Sequence, residues 1–343
     1  MEVLNLKKSS HFKMQNYKDK KILITGSSGF IGFHTAKKFL DKGIEVIGID
    51  SVDNYYDIKI KKERCKILKK SDLFTFHKCD INNIKKMNMI ISDNKVDSII
   101  FLSAQAGVRY SFENPSKYFE TNIKGFFNLC EISRINNVRN IYFASSSSVY
   151  GDSKNNKKLE INFDTSHPIS LYAATKKTNE VIAHSYAKMF GINFTGLRFF
   201  TVYGEYGRPD MSIFKFTKNI FQGKKIDVYN KGNHARDFTN IEDVSEYIYR
   251  IYKKQNISTK THEYKIFNLC RGKKENLMKI INLISMNVGK KALINYLPFQ
   301  NGDVHTTHGS NKEVIKFTNY KPKVDIEHGI KNFVNWYKNF YKL

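Results

Sequence analysis

The feature of this sequence that most constrains its fold is a glycine-rich turn between an apolar run and a helical pattern. Lys21-Ile-Leu-Ile-Thr25 has the length and flanks of a buried parallel strand, and the residues from Phe30 to Leu40 show helical spacing. Gly26, Gly29 and Gly32 join the two. Glycines at these positions permit a tight turn, close approach of the backbone to a ligand and close packing of helix on sheet. The pattern predicts a strand–turn–helix unit that holds the pyrophosphate of a dinucleotide.

The residues around this turn indicate which dinucleotide binds. The first backbone N–H groups of the helix, at Phe30 and Ile31, can face a pyrophosphate, and the helix dipole favours an anion there. Glu45-Val-Ile-Gly-Ile-Asp50 reads as the second strand, and Asp50 at its end lies close to the distance expected for an acid that binds ribose hydroxyls. Because a carboxylate repels a 2′-phosphate, NAD is favoured over NADP.

The first part of the chain alternates between strand and helix patterns. Apolar, strand-like runs lie at residues 21–25, 45–50, 73–79, 97–102, 140–144 and 194–200. Helical stretches fill most of the gaps, notably Pro115 to Asn136 and Tyr172 to Phe190. This alternation predicts an α/β fold: a Rossmann-type doubly wound parallel sheet covered by helices on both faces, with a smaller mixed α/β lobe that binds the substrate.

The alternation ends after Thr201. Loops and helices follow through Gly232, and the segments Arg236 to Asp243 and Tyr264 to Cys270 read as returns to the main sheet. We therefore predict that the smaller lobe is built from excursions out of the first. The predicted division is residues 1–20 as an N-terminal extension, 21–200 as the NAD-binding domain with returns at about 236–270, and 201–235 with 271–343 as the substrate-binding lobe.

Side chains at the ends of the third and fourth strands extend the predicted cofactor site. Asp80 and Ile81 follow the third strand, where an adenine edge would lie. Leu102, Ala104 and Gln105 follow the fourth, near the ribose and phosphates. Ligands of such sheets bind outside the carboxyl ends of the strands. For Asp80 a second interpretation stays open, since an aspartate there could equally cap the next helix.

A tyrosine and a lysine four residues apart supply candidate chemistry. Tyr172 and Lys176 share one face of a predicted helix, and the serine run 145–148 precedes them. A free tyrosine has a pKa of about 10 and is a poor base at neutral pH. A lysine ammonium nearby favours the phenolate, as does a positively charged nicotinamide ring. With a serine hydroxyl sharing the proton in a hydrogen bond, the group would deprotonate an alcohol while hydride leaves its carbon.

Together, the three-glycine turn, Asp50, the serine run and the Tyr172/Lys176 pair resemble the extended short-chain dehydrogenase/reductase superfamily, with its NAD-dependent epimerase/dehydratase family. Further segments look like those of UDP-glucuronate 4-epimerases: residues 104–111, 196–204, 207–211, 214–217, 236–239 and 302–304. The likeness runs from about Lys21 to near the C-terminus. It implies an enzyme that inverts C4 of a UDP-hexuronate, UDP-glucuronate to UDP-galacturonate, through a 4-keto intermediate with tightly bound NAD.

The resemblance implies roles for the acid–base residues. Tyr172 would be the base that takes the proton of the sugar's 4-hydroxyl, with Lys176 as its electrostatic partner and ribose ligand. Ser146 would be the hydroxyl beside the reacting oxygen. Ser147 stays open as an alternative for that role, and Ser148 would lie nearby.

The resemblance also implies the recognition residues. Thr201 and Arg208 would face the sugar carboxylate, which the planar fork of an arginine matches. An ordinary surface ion pair is the alternative for Arg208. The other implied contacts are Arg109 with the substrate, Arg236 and Asp303 with the diphosphate and the uridine ribose, and Asn122 near the nicotinamide.

Three alternatives to this function stay open. A 4-epimerase of UDP-N-acetylglucosamine or UDP-glucose would share the fold and the acid–base set. A nucleotide-sugar 4,6-dehydratase or decarboxylase is less consistent, because dehydratases need a further acid and base, and this chain has Ser147 and Ser148 after the candidate hydroxyl. A non-catalytic NAD-binding scaffold with a basic surface would be expected to lose Tyr172 or Lys176, and this chain keeps both.

Charge narrows the set of partners. The 343 residues include 57 Lys+Arg and 32 Asp+Glu, a formal net charge of +25 that is spread along the chain. Because no recognised nucleic-acid module accompanies it, we predict no nucleic-acid partner, and a diffuse positive field would help attract a diphosphate substrate. No apolar run approaches the length of a membrane span, and the N-terminus lacks the apolar core of a secretory signal, so we predict no membrane partner.

Cysteine and histidine spacing bears on location and metals. The four cysteines are Cys65, Cys79, Cys130 and Cys270. None forms a close pair in the sequence, which favours reduced thiols in a cytoplasmic protein. The histidines show no His-x-x-x-His pair and no Cys/His cluster, so we predict no metal site. The resemblance further implies a homodimer in which helices around Phe119–Cys130 and Tyr172–Tyr186 pack against their copies.

Overall fold

The computed structural model describes residues 21–152, 157–255, 262–299 and 304–343. Its strands are β1 (Lys21–Thr25), β2 (Glu45–Asp50), β3 (Phe74–Lys78), β4 (Ser98–Phe101), β5 (Asn140–Ser146), β6 (Asn193–Phe199), β7 (Thr201–Tyr203), β8 (Lys225–Tyr229), β9 (Ala235–Asn240), β10 (Tyr264–Leu269), β11 (Lys274–Asn276) and β12 (Leu293–Leu297). Its α-helices are α1 (Phe30–Leu40), α2 (Ile58–Leu68), α3 (Ile84–Asp93), α4 (Tyr110–Glu113), α5 (Pro115–Tyr118), α6 (Gly125–Ile135), α7 (Leu171–Phe190), α8 (Ser212–Phe221), α9 (Ile241–Gln255), α10 (Leu277–Val288), α11 (Lys312–Thr318) and α12 (Ile326–Tyr341). A π-helical segment, Phe119–Lys124, lies between α5 and α6.

Seven parallel strands form the main sheet in the order β10-β6-β5-β4-β1-β2-β3. The chain builds outward from β1 to β3 and then crosses to β4 on the other side of β1, which opens a crevice at the carboxyl ends of these strands. Ile22 and Ile24 point into one core with α1 and α9, while Leu23 points into the other with α3, α6 and α7. The predicted Rossmann-type doubly wound sheet is confirmed, and its six predicted strands lie within two residues of the observed bounds.

One of the two predicted returns to the main sheet is wrong. Tyr264–Leu269 does pair with β6 as predicted, but Ala235–Asn240 pairs with β7 and β11 in a separate three-stranded sheet. The chain leaves the main sheet at Phe200, so β7 is already outside it and supplies β9 with a parallel partner. The interpretation of residues 201–232 as loops and helices also missed the short strands β7 and β8.

A third hydrophobic core lies under the later part of the chain. Helices α8, α10 and α12 close over β8 and β9, and their aromatic and branched side chains, among them Phe214, Ile281 and Phe333, fill this core. We propose that it is the core of the substrate-binding lobe predicted at 201–235 and 271–343. No helix within the described ranges combines the length and apolar composition that a bilayer crossing needs.

Candidate active site

The glycine turn forms a cradle that side chains would fill. Gly26 has φ +70°, and a Cβ built on it would lie 3.0 Å from the Leu102 carbonyl carbon. A Cβ on Gly32 would lie 2.0 Å from the Gly26 carbonyl oxygen. Helix α1 begins directly after Gly29, which has no side chain to cap it, so the first N–H groups of Phe30 and Ile31 face outward from the turn. These residues fit the pyrophosphate of a dinucleotide.

Asp50 braces this turn from the end of β2. Its Oδ2 accepts a hydrogen bond from the Ser28 N–H at 3.0 Å, and its Oδ1 accepts one from the Val52 N–H at 2.7 Å. Burial raises the pKa of Asp50, while the Val52 hydrogen bond and the charge of Lys61 oppose the rise. Each carboxylate oxygen keeps a second lone pair, so the predicted contact with ribose hydroxyls is compatible with this position.

The residues after β3 and β4 are placed as the sequence predicts, with one correction. Asp80 accepts a hydrogen bond from the Asn82 N–H at 2.8 Å in the turn after β3, and Ile81 is buried beside it. The alternative in which Asp80 caps the next helix is wrong, because Asn83 caps α3 by accepting from Lys86 N–H.

After β4, the backbone of Leu102 is held to the first strand, where its N–H donates to Thr25 Oγ1 at 3.2 Å. Ala104 is half-buried in the loop that follows, and Gln105 is buried there. This loop therefore lies at the same sheet edge as the glycine turn, as the predicted cofactor contacts require.

Asn122 ties this loop to α7. It lies in the π-helical segment, fully buried, where its Oδ1 accepts from the Gln105 N–H at 2.8 Å and its Nδ2 donates to the Gln105 carbonyl at 3.0 Å. The same amide nitrogen donates to Thr175 Oγ1 at 3.1 Å. Asn122 thus fixes the fourth-strand loop against the helix of Tyr172; its predicted proximity to the nicotinamide stays a prediction.

Ser146, Tyr172 and Lys176 converge at the end of β5. Ser146 is the last residue of that strand, and its hydroxyl lies near enough to Tyr172, in the first turn of α7, to lower the pKa of the phenol. The Lys176 ammonium lies 5.9 Å from the centroid of the Tyr172 ring and donates to the Ala144 carbonyl at 3.0 Å. Helix α7 is set in place by Ser170, whose hydroxyl accepts from the Ala173 N–H. The sequence-predicted acid–base residues are therefore close neighbours.

Of the two serines considered for the hydroxyl beside Tyr172, the structure brings Ser146 into contact with the phenol. Ser147 begins the short 3₁₀ turn Ser147–Tyr150 and is half-buried. Ser148 supports Ser146, because its N–H donates to the Ser146 hydroxyl at 3.1 Å.

Burial shifts the titration of this group. It raises the pKa of Tyr172, and the hydrogen bond with Ser146 and the charge of Arg208 oppose the rise. Burial lowers the pKa of Lys176 to about 7. The sequence argument assigned the lowering of the tyrosine pKa to Lys176, whereas in this structure Ser146 and Arg208 are the groups that lower it.

A buried ion pair lies directly behind the acid–base residues. Glu180, one turn beyond Lys176 on α7, accepts two hydrogen bonds from Arg198, at 2.8 and 2.9 Å. Ser145, next to Ser146, donates to the same carboxylate at 2.6 Å. Ser145, Arg198 and Asn268 are cross-strand partners in one row of β5, β6 and β10, and the Tyr150 hydroxyl links Arg198 to Asn268. This network joins α7, the helix that carries Tyr172 and Lys176, to three strands.

Arg208 lies on the opposite side of the site in a cluster that includes two unpredicted tyrosines. Its guanidinium forms a two-point contact with Asp210, and the Tyr55 hydroxyl lies 3.4 Å from the same carboxylate. A Cβ on Gly107 would lie 2.9 Å from the Tyr55 hydroxyl, 3.7 Å from that of Tyr118 and 4.0 Å from Arg208 Nη2.

This cluster reaches the acid–base residues. The ring of Tyr118 packs edge-on against Tyr172 at 6.2 Å. Thr201 and Arg208 line one small cavity with Phe30, the first residue of α1. Burial opposes ionisation of Arg208, but the Asp210 carboxylate outweighs it and raises the arginine pKa. The two residues predicted at the sugar carboxylate thus share a cavity with the start of the cofactor helix.

The remaining predicted contacts are more dispersed. Arg109 is exposed, and its guanidinium lies over the Tyr229 ring, 4.7 Å from its centroid. Arg236 donates to the carbonyls of Val304 and His305, so it holds the backbone there. Asp303 lies outside the described residues.

Sequence reasoning missed Tyr55, Tyr118, Asp210 and Arg64. Asp210 could have been predicted from the sequence, because an acid two residues after Arg208 is placed to pair with that arginine. The two tyrosines carry no local signal: they come to the site through loops and a helix remote from Arg208 in the sequence.

Comparisons with known proteins agree with this geometry. The profile of the NAD dependent epimerase/dehydratase family matches residues 22–270. The chain is 43% identical to Protein CapI of Staphylococcus aureus, over 94% of this chain and 99% of that protein. It is 38% identical to the UDP-glucuronate 4-epimerase of Thermodesulfobacterium geofontis, over 92% and 95%. The crystal structure of UDP-glucuronic acid 4-epimerase from Bacillus cereus, in complex with UDP-glucuronic acid and NAD, superposes with a TM-score of 0.87 at 28% identity, over 94% and 100%.

Proposed function

This chain belongs to the NAD dependent epimerase/dehydratase family, and we propose that it inverts C4 of a UDP-hexuronate, converting UDP-glucuronate to UDP-galacturonate. The observation that carries the proposal is the convergence of Ser146, Tyr172 and Lys176 at the end of β5, with the Arg208 charge near enough to lower the pKa of the Tyr172 phenol. Relatives and a solved structure named UDP-glucuronate 4-epimerase, similar along nearly the whole chain, support the substrate class.

The chain's own residues would hold NAD at the carboxyl edge of the main sheet. The cradle of Gly26, Gly29 and Gly32 would take the pyrophosphate, and Asp50 would take the adenosine ribose. Bound NAD supplies the hydride acceptor and donor for C4 of the sugar. Because each turnover regenerates the cofactor in the site, the reaction requires no exchange of NAD, and NAD should stay bound through purification.

Proton transfer is the task of Tyr172. Its phenolate form would accept the proton of the sugar's 4-hydroxyl, and its phenol form would return a proton to the 4-keto sugar after the sugar has turned about its diphosphate linkage. Ser146 would hydrogen-bond to the same oxygen, and Lys176, fixed by Ala144, would carry its full charge beside the phenol below its pKa of about 7. The hydrogen bonds that fix these groups supply the orientation on which the rate depends.

Arg208 and Thr201 would recognise the carboxylate at C5 of the sugar. The two-point contact of Arg208 with Asp210 uses one edge of the guanidinium, and the fork has further N–H donors for a second carboxylate. The same contact favours a second candidate, a neutral UDP-hexose, because such a sugar would leave the Arg208–Asp210 pair undisturbed.

The test is incubation of the purified protein with UDP-glucuronate, without added cofactor, followed by proton NMR of the product. UDP-galacturonate should accumulate to an equilibrium mixture. UDP-glucose and UDP-N-acetylglucosamine in parallel tubes serve as matched controls. Turnover of either neutral sugar with none of UDP-glucuronate would contradict the proposed substrate, and loss of water or carbon dioxide would contradict epimerisation.

We further propose a homodimer that packs through α6 and α7. These helices expose Phe127, Ile135, Val181 and Met189, a row of apolar side chains that a second copy of the chain would cover. Sedimentation should give twice the 40.0 kDa chain mass, and Val181→Asp should lower it toward the monomer, whereas Met286→Asp on α10 should not. A cytoplasmic location, which the four unpaired thiols favour, and a part in polysaccharide biosynthesis stay predictions.

A further inference from the structure

Arg64 on α2 is the largest of the fully buried side chains, with 0% of its surface exposed. Its guanidinium donates to the Ser28 carbonyl at 2.9 Å and to the Tyr56 hydroxyl at 2.7 Å. It also donates to the carbonyls of Tyr206, at 2.6 Å, and Gly207, at 3.2 Å. One side chain thus joins the glycine turn to the segment that leads into Arg208.

Among the described residues, the Arg64 guanidinium forms no ion pair with a carboxylate. In the part of the chain that the structure describes, no carboxylate oxygen lies within 4.0 Å of its guanidinium nitrogens, and its partners are neutral oxygens. Buried cations in proteins are ordinarily paired with anions. Because Ser28 lies in the middle of the glycine turn, the unbalanced charge is directly behind the place where an anionic diphosphate would bind.

The Tyr206–Gly207 segment, to which Arg64 is hydrogen-bonded, has an uncommon backbone conformation. Tyr206 has φ +53°, a left-handed conformation that is uncommon for a residue with a large side chain. Its ring is wedged between Phe33 of α1, at 5.2 Å, and Trp336 of α12, at 4.9 Å. Arg64 satisfies its carbonyl, so the direction in which the chain enters Arg208 depends on that hydrogen bond.

We propose that Arg64 is a positioning residue that couples occupancy of the dinucleotide turn to recognition of the sugar carboxylate by Arg208. Its charge supports the diphosphate of the cofactor, and its fork holds the Tyr206–Gly207 backbone so that Arg208 faces the sugar. This inference rests on the proposed function for the identity of the sugar, but its cofactor half does not.

Two substitutions separate charge from geometry. Arg64→Lys keeps the charge but lacks the planar fork that reaches several carbonyls, whereas Arg64→Met removes both. Arg250→Lys is the matched control: this arginine also lies over a tyrosine ring, at 4.9 Å, but on α9, away from the site. The measurements are the dissociation constant of NAD for each protein, its NAD content after purification, and the dissociation constants of UDP-glucuronate and UDP-glucose for the NAD-loaded form.

We expect Arg64→Met to lose at least tenfold in affinity for NAD. Arg64→Lys should keep most of its NAD but weaken UDP-glucuronate binding at least tenfold more than UDP-glucose binding. Equal weakening of UDP-glucuronate and UDP-glucose binding by Arg64→Lys, or a wild-type dissociation constant of NAD in Arg64→Met, would overturn the coupling. If neither Arg64 variant folds, Tyr56→Phe loosens the same guanidinium, and an unchanged ratio of the two dissociation constants would overturn it.

A failure of the proposed function has a different signature. Wild-type protein would then bind UDP-glucuronate no more tightly than UDP-glucose, while the NAD content of Arg64→Met would still report on the charge behind the turn.

Discussion

Two buried arginines lie on opposite sides of the site, and they are satisfied in different ways. Arg198 is paired with Glu180, and its row of partners across three strands fixes the helix that carries Tyr172 and Lys176. Arg64 is held by carbonyls and one hydroxyl, between the glycine turn and the loop of Arg208. The charge of Arg198 is therefore balanced by the protein itself, whereas we propose that an anionic ligand balances the charge of Arg64. We expect substitutions on the first side to alter turnover and folding, and substitutions on the second to alter affinity.

The largest expected effect is on the acid–base side. Tyr172→Phe removes the proton acceptor and should lower kcat about 10³-fold, within the range for loss of a general base. Because the phenol is expected to add little to ground-state binding, the dissociation constant of UDP-glucuronate should change less than about threefold. Tyr118→Phe, which keeps the ring packed against Tyr172, is the control and should retain most of the activity. An unchanged kcat in Tyr172→Phe would contradict the role of Tyr172 as the proton acceptor.

The next largest effect tests the buried ion pair of Glu180 and Arg198, which lies behind the acid–base residues. Glu180→Gln leaves Arg198 buried without its anion and should lower the free energy of unfolding by about 3–5 kcal/mol. Glu180→Met combined with Arg198→Met removes both charges and should recover most of that loss, while kcat stays low because α7 is no longer held to Ser145. Urea unfolding and steady-state kinetics on the same preparations give both quantities. A double variant with wild-type kcat would show that the pair contributes to folding alone.

A pH dependence of stability follows from Lys176. Its pKa is about 7 in the folded chain against 10.5 for a free lysine, so between these values the unfolded chain binds more protons. The free energy of unfolding should therefore rise with pH over this window, by about 2 kcal/mol between pH 7 and pH 9 from this residue. Lys176→Met should lack that increment, which is read as the difference between the two proteins at each pH. A difference that stays constant over this range would contradict the burial argument.

The smallest expected effect lies on the recognition side. Arg208→Met should weaken UDP-glucuronate binding about tenfold, the value of one charge-assisted hydrogen bond, with kcat at saturating substrate much less affected. UDP-glucose binding should change little, because that sugar lacks the carboxylate. Calorimetry with both sugars measures the difference. An equal loss for both would show that Arg208 maintains the loop, as Arg64 is proposed to do, and does not discriminate between sugars.

The sequence predicted the acid–base side better than the recognition side for a physical reason. The strand of Lys21–Thr25, the glycine turn and the Tyr172/Lys176 spacing are local patterns in the sequence. Short, nearly continuous apolar runs are typical of parallel strands that are buried on both faces. The prediction that Arg236–Asp243 joins the main sheet was wrong because a strand pattern in the sequence does not show which strand it pairs with. Arg64 and Tyr118 were missed because they act across long sequence separations, and Asp303 lies outside the described residues.

The π-helical segment between α5 and α6 makes the position of the Asn122 side chain depend on the number of residues in this stretch. Asn122 lies in this wider turn and from there contacts Gln105 and Thr175. Deleting one residue between Phe119 and Lys124 would let an ordinary α-helix form and would swing that amide by about 100°. The local helix would be more regular, but the loop that follows β4 would lose its anchor to α7. A shortened variant should therefore be stable yet inactive, because the helix would be kept and the contact of Asn122 with Gln105 and Thr175 would be lost.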